Sequence, residues 1–152
     1  MALQLWDDFE DEFTLFGISS NRLDEVKFIY SINKNFKVKF GRIKDFDIYV
    51  DGEVFHHSLY SCDLASEQDP FFIIKNLSHP NQGKGDKNSL FPNMGSQRHI
   101  LKNHKRFDYL LKIPYHLEAG ELNPLPLEQA WFVSNYSQIT DLSNKEEKLF
   151  FI

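Results

Sequence analysis

The chain has almost no cysteine, since Cys62 is the only one in 152 residues. A single thiol excludes an intramolecular disulfide framework and a zinc site built from several thiolates. The composition therefore favours a reducing compartment, and we expect a cytoplasmic protein. No basic cluster lies beside Cys62 in sequence to activate it, so a small buried strand residue is a better interpretation than a nucleophile.

Long apolar runs and an excess of positive charge are also missing. No stretch approaches the roughly 18 to 20 apolar residues that span a bilayer. The first residues lead at once into the acidic run 7–12, without the basic and apolar regions of a signal peptide. Lys and Arg total 17 against 22 Asp and Glu, a net charge of −5. Without an apolar span or a signal peptide, we expect no membrane partner. Affinity for nucleic acid rests largely on neutralised phosphates, so this acidic chain makes RNA a less favoured partner than protein.

Aromatic side chains, in contrast, are plentiful: they make up 15% of the chain, and 15 of them are Phe. Aromatic rings bury large areas and dominate the energetics of cores and interfaces. A chain of this length buries roughly 70% of its unfolded surface in one domain. We therefore predict a single globular domain over residues 1–152.

The predicted elements favour an α+β fold, with a mostly antiparallel sheet and one main helix packed on it. The run 13–18 is apolar at consecutive positions, which is typical of a strand buried on both faces. Asn21 is predicted to cap the main helix, with Asp24 at the third position of a capping box.

The middle of the chain predicts a hairpin that continues into a meander of three strands. Asp51-Gly52 supplies the positive φ angles of a two-residue turn. The predicted strands of the meander are 46–50, 54–62 and 71–77. Later elements are short helical turns near 100–101 and 127–129, and strands at 107–113 and 131–133. The apolar end 149–152 is expected to dock on the body.

Residues 78–97 contain Gly, Pro, Asn and Ser with few apolar groups. This composition is typical of a loop, because little apolar area is gained to offset backbone ordering. The sequence therefore predicts a mobile internal loop at 78–97 within the single domain.

Five segments of the chain form a recognisable series in order and spacing: 15–20, 32–34, 72–78, 107–113 and 144–150. Together they resemble the IPExxxVDY family of small bacterial proteins associated with the Bacteroidota. The name-giving signature is half kept: residues 101–103 are Leu-Lys-Asn in place of Ile-Pro-Glu, and Phe107-Asp108-Tyr109 replaces Val-Asp-Tyr. The resemblance implies no activity, substrate or catalytic residue. Genes of that family often lie near those for ribonuclease III and pyruvate kinase, which keeps a role in RNA processing open.

Charge is unevenly spread along the chain. Residues 98–112 hold five bases against one acid, a local charge of +4, whereas residues 1–25 are strongly acidic. One interpretation is that both charged segments are simply solvated surfaces. The other, functional interpretation is an oriented docking surface for a partner. The predicted partner-binding residues are Arg98, Lys102, Lys105 and Arg106.

Asp108 is the carboxylate of greatest interest, because Phe107 and Tyr109 flank it. A carboxylate that faces an apolar layer needs a partner, which makes Asp108 a possible buried polar site with a ligand or catalytic role. The favoured interpretation is a structural Asp at the sheet edge, either solvated or bonded to a loop amide. Neighbouring residues on a strand point to opposite faces, so one metal ion cannot take both His56 and His57. We expect no metal site and no cofactor.

The resulting prediction is a non-catalytic cytosolic protein-interaction or adaptor module, not an enzyme. It binds an unidentified protein partner, and also itself through a sheet edge. Two alternatives stay open. One is an accessory RNA-binding factor that uses the four basic residues with Phe107 or Tyr109 as a stacking surface. The other is a small-molecule-sensing domain with a pocket near Asp108.

Overall fold

The structure, a computed structural model, describes residues 12–21, 23–64, 69–81, 96–118 and 120–152. The strands are β1 (Thr14–Ser20), β2 (Gly41–Arg42), β3 (Phe46–Val50), β4 (Glu53–His57), β5 (Leu59–Cys62), β6 (Phe71–Lys75), β7 (Tyr109–Ile113) and β8 (Val133–Gln138). The α-helices are α1 (Glu25–Phe36) and α2 (Asn144–Leu149), and 3₁₀ turns span Lys102–His104 and Leu127–Gln129. No helix in these described ranges has the length and apolar character needed to cross a membrane.

Six strands form one sheet in the order β2-β5-β6-β7-β1-β8, and β3 and β4 form a separate hairpin. Every pairing between these strands is antiparallel. The predicted α+β fold with a mostly antiparallel sheet and one main helix is therefore confirmed.

The predicted meander of three strands is wrong at one residue, Ser58. The return strand ends at His57, and β5 starts at Leu59 in the main sheet. Ser58 is fully buried, and its carbonyl oxygen accepts the backbone N–H of Lys75 on β6 (2.9 Å). The chain therefore leaves the hairpin and joins the main sheet at this point.

The main sheet is covered on both faces, as its apolar strands require. Along β1 and β7, alternate side chains enter opposite layers: Ile18 and Leu111 one layer, Leu15 and Leu110 the other. The first layer is closed by α1 and the segment 125–132, and the second by the hairpin, the segment 100–107 and Phe150. The sheet is thus the middle of three layers.

Helix α1 begins one turn later than predicted. Asp24 is its N-cap, because its Oδ1 accepts the N–H of Lys27 (2.9 Å). Asn21 is tied elsewhere: its side-chain amide donates to the carbonyl of Trp131 (3.0 Å), and its backbone N–H to that of Phe132 (2.8 Å). Tertiary contacts have therefore removed Asn21 from the helix.

The end of the chain differs from the prediction in two elements. The last strand is Val133–Gln138, because Trp131 and Phe132 form a turn before it. Residues 144–149 form the unpredicted helix α2, which a reciprocal capping box of Ser143 and Glu146 starts. The predicted docking of residues 149–152 is confirmed at Phe150, which is fully buried, but not at Phe151 and Ile152, which are exposed.

The ends of the predicted loop 78–97 are bonded to each other. Ser78 and Arg98 lie side by side, with N–H of Ser78 donating to the Arg98 carbonyl and N–H of Arg98 donating to the Ser78 hydroxyl, both at 2.9 Å. Asn81 donates to the carbonyl of Ser96 (3.1 Å). Residues 82–95 lie outside the described part of the chain, so their mobility stays a prediction.

Candidate functional site

One buried amide, that of Asn76, holds the segment that carries the predicted basic residues. Its Nδ2 donates to the carbonyls of His104 (3.0 Å) and Phe107 (2.9 Å), and its Oδ1 accepts the N–H of Leu101 (3.1 Å). The backbone carbonyl of Asn76 accepts the N–H of Ile100 (2.8 Å). Because Asn76 is fully buried, these bonds fix residues 98–106, which we call the basic turn.

The four predicted partner-binding residues all lie on the basic turn. Lys102, Lys105 and Arg106 are exposed, and Arg98 is half-buried with its guanidinium 5.9 Å from the ring centre of Phe55. Arg98 and Lys102 line a groove, which Lys105 and Arg106 do not. Partner binding by the four residues stays a prediction, and two of them belong to the groove.

This groove has a volume of about 630 Å³ and lies between the β3–β4 hairpin, the basic turn and α2. We call it the hairpin groove. Phe55 and Ile100, both buried, and Leu149, half-buried, make part of its lining apolar. Tyr49 also borders the groove, but its side chain, which is 76% exposed, points to the other face of the hairpin, the face of Asp47 and His56. The groove therefore offers apolar contact area.

Positive charge predominates around the hairpin groove. Arg98, Lys102 and Lys145 line it, against the carboxylates of Asp51 and Glu146. Glu146 is engaged in its capping box, where it accepts the N–H of Ser143 (3.0 Å). Within the described ranges, none of the three basic groups lies within 4 Å of a carboxylate. The groove thus has three cationic groups without an ionic partner.

The two groove histidines add no charge near neutral pH. Burial lowers the pKa of His57 to about 4, and its Nδ1–H donates to the carbonyl of Lys75 (2.9 Å). Burial also lowers the pKa of His99, and the charge of Lys105 lowers it further. His56 points away from the groove on the other face of the hairpin, as predicted for neighbours on a strand. The positive character of the groove therefore comes from Arg and Lys alone.

Asp108 is exposed, so the possible buried polar site there is wrong, and the favoured interpretation of a structural Asp at the sheet edge agrees with the structure. Its Oδ2 accepts the backbone N–H of Ser20 (2.9 Å), a bond that links the start of β7 to the end of β1. The carboxylate lies at the rim of the sheet, where water solvates it, so no desolvation has to be offset. Phe107 and Tyr109 are instead the buried residues, 1% and 3% exposed.

Sequence reasoning missed a polar cluster between α1 and the sheet. The Tyr60 hydroxyl donates to Glu25 (2.5 Å), Lys75 Nζ lies 3.6 Å from Glu25, and the Ser58 hydroxyl pairs with Nε2 of His79 (2.9 Å). Burial raises the pKa of Glu25, but hydrogen bonds from Tyr60 and Ser58 and the charge of Lys75 lower it overall. Ser58 is fully buried, so this serine cannot reach a substrate. The cluster fastens α1 to β5 and β6, and no local sequence pattern connects its members.

No family model matches the chain, and no curated protein or solved structure matches it. Membership of the IPExxxVDY family stays a prediction.

Proposed function

We propose that this protein is a non-catalytic, cytosolic interaction module, whose hairpin groove binds an extended acidic segment of a partner protein. The observation that carries the proposal is the set of three basic side chains, Arg98, Lys102 and Lys145, around a partly apolar groove. Buried Cys62, the chain's one cysteine, supports a reducing location.

The chemistry of the lining favours a peptide as the occupant. Ligand sites commonly span about 300 to 1,000 Å³, and about 630 Å³ accommodates a few side chains. An apolar side chain of the partner would contact Phe55 and Ile100, while its carboxylates would pair with Lys102 and Lys145. Arg is among the residue types most often found at interface hot spots, which fits Arg98.

Within its described lining, the groove has no side chain placed as an activated nucleophile. A nucleophile requires a general base within hydrogen-bond reach. The Ser143 hydroxyl accepts the N–H of Glu146 (3.1 Å), and no described histidine is bonded to it. Burial lowers the pKa of His57 to about 4 and leaves the residue 1% exposed, so its ring is a weak base out of reach of a ligand. These features support a binding role over an enzymatic one.

An RNA ligand is the less favoured alternative. Phe107 and Tyr109, the aromatic residues next to the basic turn, are buried and offer no face to a base. A single-stranded RNA site normally stacks successive bases on exposed aromatic rings along a positive channel. Of the aromatic residues that line the groove, Phe55 is buried and Tyr49 points to the other face of the hairpin. A peptide is therefore the favoured ligand, and RNA binding is the outcome that would overturn it.

Selection from a random library of 12-residue peptides tests the proposal directly. The protein should enrich peptides that combine Asp or Glu with an apolar residue. The variant Lys102→Glu/Lys145→Glu should weaken their binding at least tenfold in fluorescence polarisation, because it places like charge opposite the ligand. The matched control Lys105→Glu/Lys148→Glu makes the same charge change on the same two segments, but outside the groove, and should bind within about threefold of the wild type.

An equal loss of peptide affinity in both double variants would show that the net charge of the protein, not the groove, governs binding. Tight binding of a random single-stranded RNA, abolished by Lys102→Glu/Lys145→Glu, would overturn the peptide proposal in favour of RNA. Unchanged melting temperatures would show that both variants fold, since all four lysines are exposed.

The edge strand β8 supports a second proposal, pairing of two copies of the chain. Its sequence Val-Ser-Asn-Tyr-Ser-Gln carries no charge and no proline over six residues. The opposite edge, β2, has only two residues and carries Arg42. Proteins usually protect long edges with charge, proline or shortness. Among the described strands β8 pairs with β1 alone, and a second β8 would extend the sheet about a two-fold axis.

Sedimentation velocity tests this pairing. The wild type should sediment as a dimer at micromolar concentration. Ser134→Lys/Gln138→Lys, at two exposed positions of β8, should give a monomer with an unchanged circular dichroism spectrum, because lysines on an edge disfavour pairing. A wild type that stays monomeric at 100 μM, or a variant that stays dimeric, would contradict pairing through β8.

A further inference from the structure

The solvent face of the β3–β4 hairpin brings three metal-ligating side chains together. One ligand atom from each of Asp45, Asp47 and His56 lies within 4.8 Å of the others. Asp47 and His56 are directly paired across the two strands. Asp45 lies two residues before Asp47, which places both on the same face of the extended chain. The arrangement thus follows from the register of the hairpin.

The hairpin holds these donors on a fixed scaffold. Asp51 and Gly52 have φ angles of 50° and 80°, the paired positive values of a two-residue turn that fixes the register. On the opposite face of the hairpin, Phe46, Phe55 and His57 are buried against the body. The three donor side chains are each less than half exposed, at 33%, 37% and 42% for Asp45, Asp47 and His56.

We propose that Asp45, Asp47 and His56 form a binding site for a divalent transition-metal ion, with Zn²⁺ as the representative. Imidazole nitrogen with carboxylate oxygen suits Zn²⁺ and its neighbours, whereas Mg²⁺ and Ca²⁺ prefer oxygen ligands alone. Three protein ligands leave a fourth tetrahedral position for water or for a side chain of a partner. The site lies on the face of the hairpin opposite the groove, so metal binding can be tested independently of the proposed function.

Two existing contacts define what the ion would replace. Nδ1 of His56 lies 2.5 Å from Oδ1 of Asp47, and Arg42 forms an ion pair with Asp45. Arg42 has other partners to retain: its Nη1 donates to the carbonyl of Ile43 (2.7 Å), and its guanidinium lies 5.7 Å from the ring centre of Tyr60. The arginine is thus a competitor for Asp45, whose removal should strengthen metal binding.

Isothermal titration of the full chain with ZnCl₂ at pH 7.5 tests the site. The wild type should bind one ion with a micromolar dissociation constant. His56→Ala and Asp47→Asn should each weaken binding at least about tenfold, the loss that even an outer-shell change typically causes. His116→Ala removes an exposed histidine outside this cluster and should leave the titration unchanged. Arg42→Gln should tighten binding roughly threefold, because it removes a positive charge beside the ion.

The direction of the Arg42→Gln effect separates this site from adventitious binding to scattered histidines, which would not respond to it. Absence of wild-type binding below 100 μM, retention of affinity in His56→Ala, or weaker binding in Arg42→Gln would each overturn the proposal. Thermal melting of each variant without metal, expected within about 2 °C of the wild type, excludes loss of the hairpin as the cause.

Discussion

Gly17→Ala should destabilise the protein by about 3 kcal/mol, at the upper end of what overpacking a core usually costs. A Cβ at position 17 would lie 2.2 Å from Cδ2 of Phe107 and 2.3 Å from its Cγ. Phe107 is 1% exposed, so its ring has no free space to move into. Gly17 lies on β1, which pairs with β7 on one side and with β8 on the other. These pairings keep its backbone from shifting away from the ring. Urea unfolding at pH 7 measures the loss.

Gly41→Ala is the matched control, because nothing lies within 4 Å of the Cβ it would add and its backbone is not left-handed. It should change stability by less than about 0.5 kcal/mol. In the Gly17→Ala background, Phe107→Ala should cost clearly less than it does alone, since the clash is then relieved. Similar losses for the two glycine variants would show that the Phe107 ring does not pack on β1.

The parts of the fold that sequence predicts are those that local chemistry decides. The hairpin turn at Asp51-Gly52 is confirmed, because both residues have the positive φ angles that such a turn needs. The buried strand β1 is confirmed by the burial of Leu15 and Ile18. In both cases a short run of residues contains the whole physical reason for its structure.

The parts that sequence missed are those that distant contacts decide. Asn21 and Asp24 are both good N-caps, and the bond from Asn21 to Trp131, 110 residues away, settles which one is used. The end of β4 before Ser58 depends on a contact with Lys75 on β6. Strand β8 is an edge strand with mostly polar residues, so it lacks the alternation by which strands are usually recognised.

The candidate site likewise combines residues that local sequence predicts with residues that only the folded chain brings together. Charge along the chain pointed to the basic turn, and Arg98 and Lys102 do line the groove. Lys145 and Phe55 come from distant segments on either side of the basic turn, and no spacing rule connects them. Asp108 left two interpretations open, because apolar neighbours in sequence do not fix which side chain faces the core. A surface of this kind becomes visible only when the layers are assembled.

Asn76→Ala should destabilise the protein by about 3 kcal/mol, because it leaves buried backbone groups without partners. The variant removes the acceptor for the N–H of Leu101 and the donor to the carbonyls of His104 and Phe107. Asn35→Ala is the control: that exposed amide makes one bond, to the carbonyl of Ser31 within its own helix. It should cost less than about 0.5 kcal/mol, an ordinary surface value.

The same substitution also tests whether the groove depends on the basic turn. Hydrogen exchange at Leu101 should accelerate in Asn76→Ala, while the amides of the β3–β4 hairpin keep their protection. Selected acidic peptides should bind more weakly, because Arg98 and Lys102 would no longer be held in fixed positions and their ordering would oppose binding. If stability falls and Leu101 exchanges faster but peptide affinity is unchanged, the basic turn is structural and the ligand is held by α2 and the hairpin alone.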